Sequence, residues 1–409
     1  WLLQSDKSPS CSPLDNHEVY SSLRVAFGNP PQTFDLVADT GSDYCIVSDC
    51  SCSGCPAAWG SCFTSHRSKS FNLPMFKAEA NNGSAPAHML MRFGSGDIST
   101  KIASDEVQIG PLKVFMENGV LLMVDQSLAL TGHFEGILGL GSPLEKPADE
   151  IQVPGFLERA EVQRFSLCFN HKAAGVLGFD TPKHSHSLAS VGKVHWSLNF
   201  HGITLGQENG PELALCSEGS RCSIIPDSGT TLMVGPEQSI LRIYDALCSS
   251  WDRCNKMHQE LKEELYLLGR VQVEGLDNAT SLNFHPLSES LEGIVTKLVA
   301  RSNNETPGAA NLGRLQEVHA ADATERVAST TFEVSPAMAL RVLLERCTDW
   351  INEVDINTEM PTLSFHMTDK HGKQEQLKIS PRNYVFLKTV EDEVRRKQIC
   401  AMAFSPADY

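Results

Sequence analysis

The chain has 409 residues, of which 41% are hydrophobic and 21% are charged, and its formal net charge at pH 7 is -16. This length is enough for two hydrophobic cores, each in a domain of roughly 150 to 200 residues. The negative charge opposes binding to the phosphate backbone of nucleic acids and to anionic membranes, so we expect neither as a partner.

The cysteine content indicates the compartment. Thirteen cysteines are many for a protein of the reducing cytosol, and their close spacing predicts disulfides and an oxidising environment. Three Asn-X-Ser/Thr sequences, at Asn82, Asn278 and Asn304, are typical glycosylation acceptors. We therefore expect a glycoprotein of the secretory pathway that is secreted or held in an endomembrane or vacuolar lumen.

The first half of the chain has the pattern of strands. From Val19 to about Gly141, short apolar and β-branched runs alternate with Gly, Pro, Asn and Asp, which predicts mostly antiparallel strands. The composition turns polar at "KHSHSLASVGK", before strands resume at "VHWSLNFHGITLG". We therefore place a domain junction near residue 190, with an N-terminal domain of 1–190 and a C-terminal domain of 191–409.

Helical patterns occur in the second half. The segment "WDRCNKMHQELKEELYLL" places apolar side chains on one helical face, and Ser335-Pro336 is a typical cap and first turn for another helix. The stretch between these two segments is rich in Asn, Ser, Glu and Ala. We interpret about 250–335 as a helical insertion whose apolar faces pack on the second domain.

One motif occurs twice. Asp-(Thr or Ser)-Gly lies at Asp39 and at Asp227, each time directly after an apolar run, whereas about 0.2 such triplets are expected by chance in a chain of this length. Glycine lets the backbone approach the acid, and the hydroxyls and amides that follow can donate hydrogen bonds to its oxygens. Two such carboxyls brought face to face cannot both ionise cheaply, so they share a proton. One can take a proton from water while the other protonates a carbonyl oxygen.

The chain resembles the pepsin-like aspartic proteases in these motifs and in the segments around them. The matching segments, in family order, are "VADTGS", "HMLMRFGSGDIST" followed by "DEVQIG", "FEGILGLG" and "CSIIPDSGTT". The resemblance implies a mostly β, bilobed fold of two β-barrels, with the active-site cleft between the lobes and a hairpin flap over the substrate. It also implies that two carboxylates activate water to hydrolyse peptide bonds, without a cofactor or a metal.

The resemblance assigns roles to single residues. Asp39 and Asp227 match the catalytic pair, and Ser42 and Thr230 match the hydroxyls that bond the outer carboxylate oxygens. The residues that match the other supporting positions, where the two active-site loops lock together, are Thr40, Gly41, Ser228 and Gly229. The residues that match the flap, the apolar cleft and the corner behind the first acid are Phe93, Gly94, Ser95, Phe134, Ile137 and Gly139. Ordinary core packing is the alternative for the last three.

The sequence departs from the family pattern in three places. Phe93 stands where the family usually has a flap tyrosine, and Ile46 stands where it often has a tryptophan. Since those two family side chains can hydrogen-bond to each other, the loss of both leaves no orphan donor, and we interpret the pair as a retuned flap. The apolar-apolar-Gly segment that serves the second acid in the family is not found before Tyr409. We therefore expect the second lobe to lack its last strands, or the natural chain to continue.

Five cysteines follow the first motif closely, at positions 45, 50, 52, 55 and 62. Their spacing also suits zinc, so a metal-binding structural protein is one alternative. We favour disulfides because the loop resembles the cysteine-rich insert of the nepenthesin-like and plasmepsin V-like branches. The same resemblance matches Cys216 with Cys222, and Cys347 with Cys400, to family disulfides.

We therefore predict a monomeric aspartic endopeptidase that acts on polypeptide substrates in an acidic secretory or vacuolar compartment. A catalytically inactive pepsin-like binding protein is the alternative. The altered flap and the missing closing segment favour this alternative, whereas the intact motifs at Asp39 and Asp227 oppose it.

Overall fold

The fold is taken from a computed structural model of the chain. The structure describes residues 10–17, 19–55, 60–77, 84–93, 96–128, 135–142, 151–170, 173–183, 187–206, 210, 212–216, 222–274, 334–369, 371–391 and 396–406. Several residues of the sequence predictions lie outside these ranges, namely Gly94, Ser95, Phe134 and the three glycosylation asparagines, Asn82, Asn278 and Asn304.

The chain forms two compact units. The first contains Trp1–His201, Glu218–Met233 and Met367–Glu375, and the second contains Gly202–Ser217, Val234–His366 and Gln376–Tyr409. Asp39 and Asp227 both belong to the first unit, so the geometry of the two carboxyls is a property of that unit alone. The junction near residue 190 stays a prediction.

The first unit is built mainly from strands. They are β1 (Ser10–Asn16), β2 (Ser21–Phe27), β3 (Gln32–Asp39), β4 (Cys45–Ser48), β5 (Met75–Lys77), β6 (Ser84–Pro86), β7 (His88–Phe93), β8 (Gly96–Ile109), β9 (Leu112–Gln126), β10 (Gly136–Gly139), β11 (Phe165–Cys168) and β12 (Gly175–Phe179). Ten of them form one sheet in the order β11-β12-β1-β2-β3-β10-β4-β9-β8-β7, and β5 pairs with β6. The pairs β3–β10 and β4–β9 are parallel.

Alternation of side chains explains why these strands bury one face. In β2, Leu23, Val25 and Phe27 are fully buried, whereas Arg24 between them is exposed. Full burial of such a side chain stabilises the fold by about 1.5 to 3 kcal/mol. The strand β10 is buried on both faces between β3 and β4. A Cβ on Gly136 would overlap the carbonyl oxygen of Ile46, so glycine is required there.

The rest of the chain contains short strands and the longer helices. The strands are β13 (Leu198–Leu205), β14 (Glu212–Leu213), β15 (Cys222–Ile224), β16 (Met233–Gly235), β17 (Leu363–Thr368), β18 (Gln374–Ile379), β19 (Val385–Glu391), β20 (Arg396–Met402) and β21 (Phe404–Pro406). The helix α1 (Phe156–Arg159) belongs to the first unit. The later α-helices are α2 (Glu237–Ser250), α3 (Asp252–Glu274), α4 (Pro336–Glu345) and α5 (Ile356–Glu359).

The helices of more than one turn, among the residues described, all belong to the second unit. The hydroxyl of Ser335 accepts a hydrogen bond from the backbone N–H of Met338, and Pro336 occupies the first turn of α4, as a capped helix start requires. The predicted mostly β class is confirmed. Residues 275–333, most of the predicted insertion, lie outside the described part of the chain.

Candidate active site

Asp39 is the last residue of β3, and the neighbouring strand β10 fixes its backbone. Gly139 lies opposite Asp39 in the parallel pairing, and the N–H of Leu140 donates a hydrogen bond of 2.7 Å to the Asp39 carbonyl. A Cβ on Gly139 would overlap the backbone of Asp43 and Tyr44. Only glycine therefore lets β10 pass so close behind the first acid.

The Asp39 carboxyl is 6% exposed and bound by its own loop. The N–H of Gly41 donates to Oδ1 at 2.8 Å, and the hydroxyl of Ser42 donates to Oδ2. Hydrogen bonds to a carboxylate are short and directional. These two contacts hold both oxygens of the acid in a fixed orientation.

The Asp227 carboxyl follows β15 and repeats this arrangement. The N–H of Gly229 donates to Oδ1 at 2.8 Å, and the hydroxyl of Thr230 donates to Oδ2 at 2.6 Å. The two acids face each other across their glycines. A Cβ on Gly41 would lie 2.6 Å from Asp227 Oδ2, and a Cβ on Gly229 would overlap Asp39 Oδ1. Both glycines are therefore needed for the two carboxyls to meet.

Four hydrogen bonds join the two loops beneath the acids. The N–H of Thr40 donates to Ser228 Oγ at 3.1 Å, and the N–H of Ser228 donates to Thr40 Oγ1 at 2.9 Å. The Thr40 hydroxyl donates to the carbonyl of Pro226, and the Ser228 hydroxyl donates to the carbonyl of Ala38, each at 2.7 Å. Each loop thus supplies the same set of donors and acceptors to the other, which sets the separation of the carboxyls.

The surroundings of Asp39 change its titration. Burial raises the pKa of Asp39 from its ordinary value of 3.8 to about 6, while the hydrogen bond from Ser42 opposes this rise. The charge of Asp227 and a hydrogen bond between the two carboxyls contribute to the same rise, and the hydrogen bond from Gly41 opposes it. Two interacting carboxyls titrate as a pair. In acidic solution the site therefore holds a proton that an isolated aspartate would have lost.

The structure places two of the predicted cleft residues on one apolar cluster. Ile137 is 6% exposed and packs with Val37 and Ile46, and Phe93, at the end of β7, packs against the same cluster. The burial of Ile137 is also what ordinary core packing produces. The substrate-binding role of these residues therefore stays a prediction.

Sequence reasoning missed two long-range contacts near the site. The indole N–H of Trp196 donates to the carbonyl of Leu140 at 2.8 Å, and the hydroxyl of Thr231 donates to the carbonyl of Val19 at 2.7 Å. A buried indole N–H usually has an acceptor. This rule predicts that the Trp196 indole has a hydrogen-bond acceptor, but it does not predict which residue provides it.

The cysteine-rich loop contains disulfides. The structure joins Cys50 to Cys62, Cys52 to Cys55, Cys248 to Cys254 and Cys347 to Cys400. Cys216 and Cys222 are also disulfide-bonded. Paired sulfurs cannot serve as thiolate ligands, so these bonds do not support a zinc site in the loop.

The three remaining cysteines differ in exposure. Cys11 and Cys168 are exposed thiols, whereas Cys45 is buried. Burial raises the pKa of the Cys45 thiol to about 12. In the described part of the chain, no three His, Cys, Asp or Glu side chains lie close enough together to hold a metal ion. Within the same residues, none of the helices combines the length and hydropathy that a bilayer crossing requires.

Comparison with known proteins gives a family match along most of the chain. Residues 20–409 match the sequence pattern of the eukaryotic aspartyl proteases. The chain is 29% identical to mouse napsin-A over 263 residues, which is 59% of this chain and 58% of napsin-A. It is 30% identical to the rice aspartic proteinase oryzasin-1 over 307 residues, which is 69% of this chain and 57% of oryzasin-1.

Vacuolar protease A of Aspergillus fumigatus is 30% identical over 227 residues, which is 52% of each chain. The chain thus spans between about half and three fifths of the length of these three relatives. The family match extends over both aspartate motifs, whose carboxyls face each other in the structure. The chain belongs to the eukaryotic aspartyl protease family.

Proposed function

We propose that this protein is an aspartic endopeptidase that hydrolyses peptide bonds of polypeptides with a water molecule activated by Asp39 and Asp227. The observation that carries the proposal is the meeting of the two carboxyls across Gly41 and Gly229. Their matching hydrogen bonds, and the raised pKa of Asp39, support it.

The chemistry follows from one shared proton. The charged carboxyl takes a proton from the bound water, which attacks the peptide carbonyl carbon. The protonated carboxyl donates its proton to the carbonyl oxygen, so no full negative charge forms there. The carboxyl that took the proton from water then donates it to the amide nitrogen, and the C–N bond breaks. As the carbonyl re-forms, the other carboxyl takes a proton from a hydroxyl of the intermediate, so the pair again holds one proton. The chain's own residues supply every proton transfer in this scheme.

The apolar cluster supports a preference for apolar side chains next to the cleaved bond. Phe93 packs against this cluster, which contains Ile137, and we propose that both side chains contact substrate. Gly94, Ser95 and Phe134 keep the substrate-binding role that the family resemblance implies. No contact among the described residues favours a binding protein without activity, since both acids keep their glycine and hydroxyl partners.

The disulfides support an oxidising compartment, and the raised pKa of Asp39 supports an acidic one. We therefore propose a secreted or vacuolar location. The relatives include two that are named vacuolar protease A. Monomeric state and glycosylation stay predictions.

Cleavage of a mixed peptide library by the full-length protein at several pH values tests the proposal. Asp39→Asn and Asp227→Asn should each abolish cleavage, because either change removes one member of the pair. Asp15→Asn, on an exposed strand residue, removes the same charge and should leave cleavage unchanged. Cleavage that survives in either active-site variant would rule out the two-carboxyl mechanism. A folded wild-type protein as inactive as both variants would favour a binding protein.

A further inference from the structure

Gln126, the last residue of β9, uses both ends of its side-chain amide. Nε2 donates a hydrogen bond to the carbonyl of Gly54, and Oε1 accepts one of 2.5 Å from the N–H of Leu128. Gly54 lies in the short loop that the Cys52–Cys55 disulfide closes. The side chain therefore joins this disulfide loop to the segment that follows β9.

The disulfide loop contacts the end of β9 at two further points. The N–H of Ser53 donates to the carbonyl of Val124 at 3.0 Å, and the Ser53 hydroxyl donates to Asp125 Oδ1 at 3.1 Å. A Cβ on Gly54 would lie 2.6 Å from the carbonyl oxygen of Gln126. The small residues between Cys52 and Cys55 therefore allow the loop to lie directly on the strand.

The residue after Gln126 binds the flap hairpin, by which we mean β7 (His88–Phe93) and its partner segment in β8, residues 96–101. The N–H of Asp97 donates to Ser127 Oγ at 3.0 Å, and the N–H of Ser127 donates to the carbonyl of Asp97 at 2.9 Å. Gly96 approaches so closely that a Cβ would lie 2.5 Å from the Ser127 carbonyl oxygen. Asp97 pairs with Arg92, and Gly96 pairs with Phe93, next to the turn of the hairpin. The end of β9 thus sets the position of the turn end of the hairpin.

Apolar packing joins the same parts. Leu128 is 8% exposed and belongs to the cluster that contains Ile98 of β8. Three partly buried side chains pack against this cluster, namely those of Cys52, Cys55 and Phe93. The disulfide and the end of the flap strand therefore share one apolar support.

We propose that Gln126 is a positioning residue for the flap hairpin, with the Cys52–Cys55 loop as its anchor. The inference rests on the proposed function in one respect, namely that the hairpin covers bound peptide. No hydrogen bond joins Gln126 to the acids among the described residues, so we expect it to act on substrate binding through the turn end of the hairpin. Loss of its two hydrogen bonds should raise KM by roughly threefold to tenfold, the effect of a net hydrogen bond, and should leave kcat nearly unchanged.

Two variants of Gln126 separate its contacts. Gln126→Leu keeps most of the volume and removes both hydrogen bonds, whereas Gln126→Glu keeps the acceptor for Leu128 and removes the donor to Gly54. KM should be raised in both variants, and more in the leucine variant. The pH profile of activity should keep its wild-type form in the leucine variant because the contacts of Asp39 are unchanged. A fall in kcat without a change in KM would contradict the positioning role.

Hydrogen exchange of the flap-hairpin amides tests the inference without any catalytic activity. Exchange should be faster in Gln126→Leu and in the double variant Cys52→Ser/Cys55→Ser, while β11 and β12 keep their wild-type rates. The matched control is Cys50→Ser/Cys62→Ser, which removes a disulfide next to Thr64 and should leave the hairpin unchanged.

The exchange result and the activity result are independent. Faster exchange confined to the hairpin supports the inference even if no peptide is cleaved, in which case only the proposed function fails. Unchanged hairpin exchange in Gln126→Leu, equal acceleration throughout the sheet, or an equal effect of the Cys50/Cys62 control would overturn it. If the Cys52/Cys55 variant does not fold, hydrogen exchange in the Gln126 variants still tests whether Gln126 positions the hairpin.

Discussion

The Asp39 carboxyl keeps its proton at a pH where an ordinary aspartate is charged. Its pKa is raised from 3.8 to about 6, so the folded chain binds this proton more tightly than the unfolded chain does. The resulting stability is complete below the ordinary pKa and is lost as the pH rises to about 6, by about 3 kcal/mol for a shift of this size. The free energy of unfolding of the wild type should fall over that window relative to Asp39→Asn. Denaturant unfolding at pH 4, 5, 6 and 7 measures these free energies. The same change with pH in the wild type and in Asp39→Asn would contradict this assignment.

The second prediction at the scale of residues concerns substitutions of Phe93 and Ile46. Ile46 is fully buried in the cluster against which Phe93 packs, and it offers no polar atom to a hydroxyl at position 93. Phe93→Tyr alone should therefore change kcat/KM by less than about threefold, since a new hydroxyl without a partner gains little. Ile46→Trp should destabilise the protein by about 1 to 3 kcal/mol because it overfills a packed site. A large gain in kcat/KM from Phe93→Tyr alone would show that this interpretation is wrong.

At the scale of elements, the two active-site loops hold each other in place. Thr40→Val keeps the shape of the side chain but removes a donor to Pro226 and an acceptor for Ser228. We expect a loss of about 1 to 3 kcal/mol in the free energy of unfolding, because the partly buried N–H of Ser228 is left without its acceptor, and a fall in kcat as the acids separate. Thr231→Val, which loses one bond to Val19, is the control. Urea unfolding that shows the same loss in both variants would refute the special role of Thr40.

Local signals in the sequence predicted some elements well, and distant contacts were beyond its reach. The short apolar and β-branched runs between turn residues predicted strands such as β2, and Ser335-Pro336 marked the start of α4, because both signals depend on residues within a few positions. The sequence showed that Asp39 and Asp227 are each followed by a hydroxyl residue, a glycine and a second hydroxyl residue. It could not show that Trp196 binds the carbonyl of Leu140, since that contact depends on how separate strands assemble.

At the scale of the whole molecule, the net charge sets how strongly copies of the chain repel each other at a given pH. The net charge is -16 at pH 7 and the pI is about 5.3, so self-repulsion between molecules decreases as the pH falls toward the pI. Mostly β structure was predictable from the repeated short strand patterns. Both halves of the chain are rich in strands, so composition alone could not show which segments belong to which compact unit. The segment Glu218–Met233, for example, lies with the first unit although the residues just before it belong to the second.

The pH dependence of kcat/KM for a cleaved peptide tests the central claim that Asp39 and Asp227 act as one proton-sharing pair. For the wild-type chain, kcat/KM should fall as the pH rises through about 6, the pKa of Asp39, because the proton needed by the carbonyl oxygen is then lost. Asp39→Asn and Asp227→Asn should each lower kcat/KM by about a hundredfold or more at every pH. A wild-type kcat/KM that rises through neutrality, or near wild-type activity in either variant, would contradict the account.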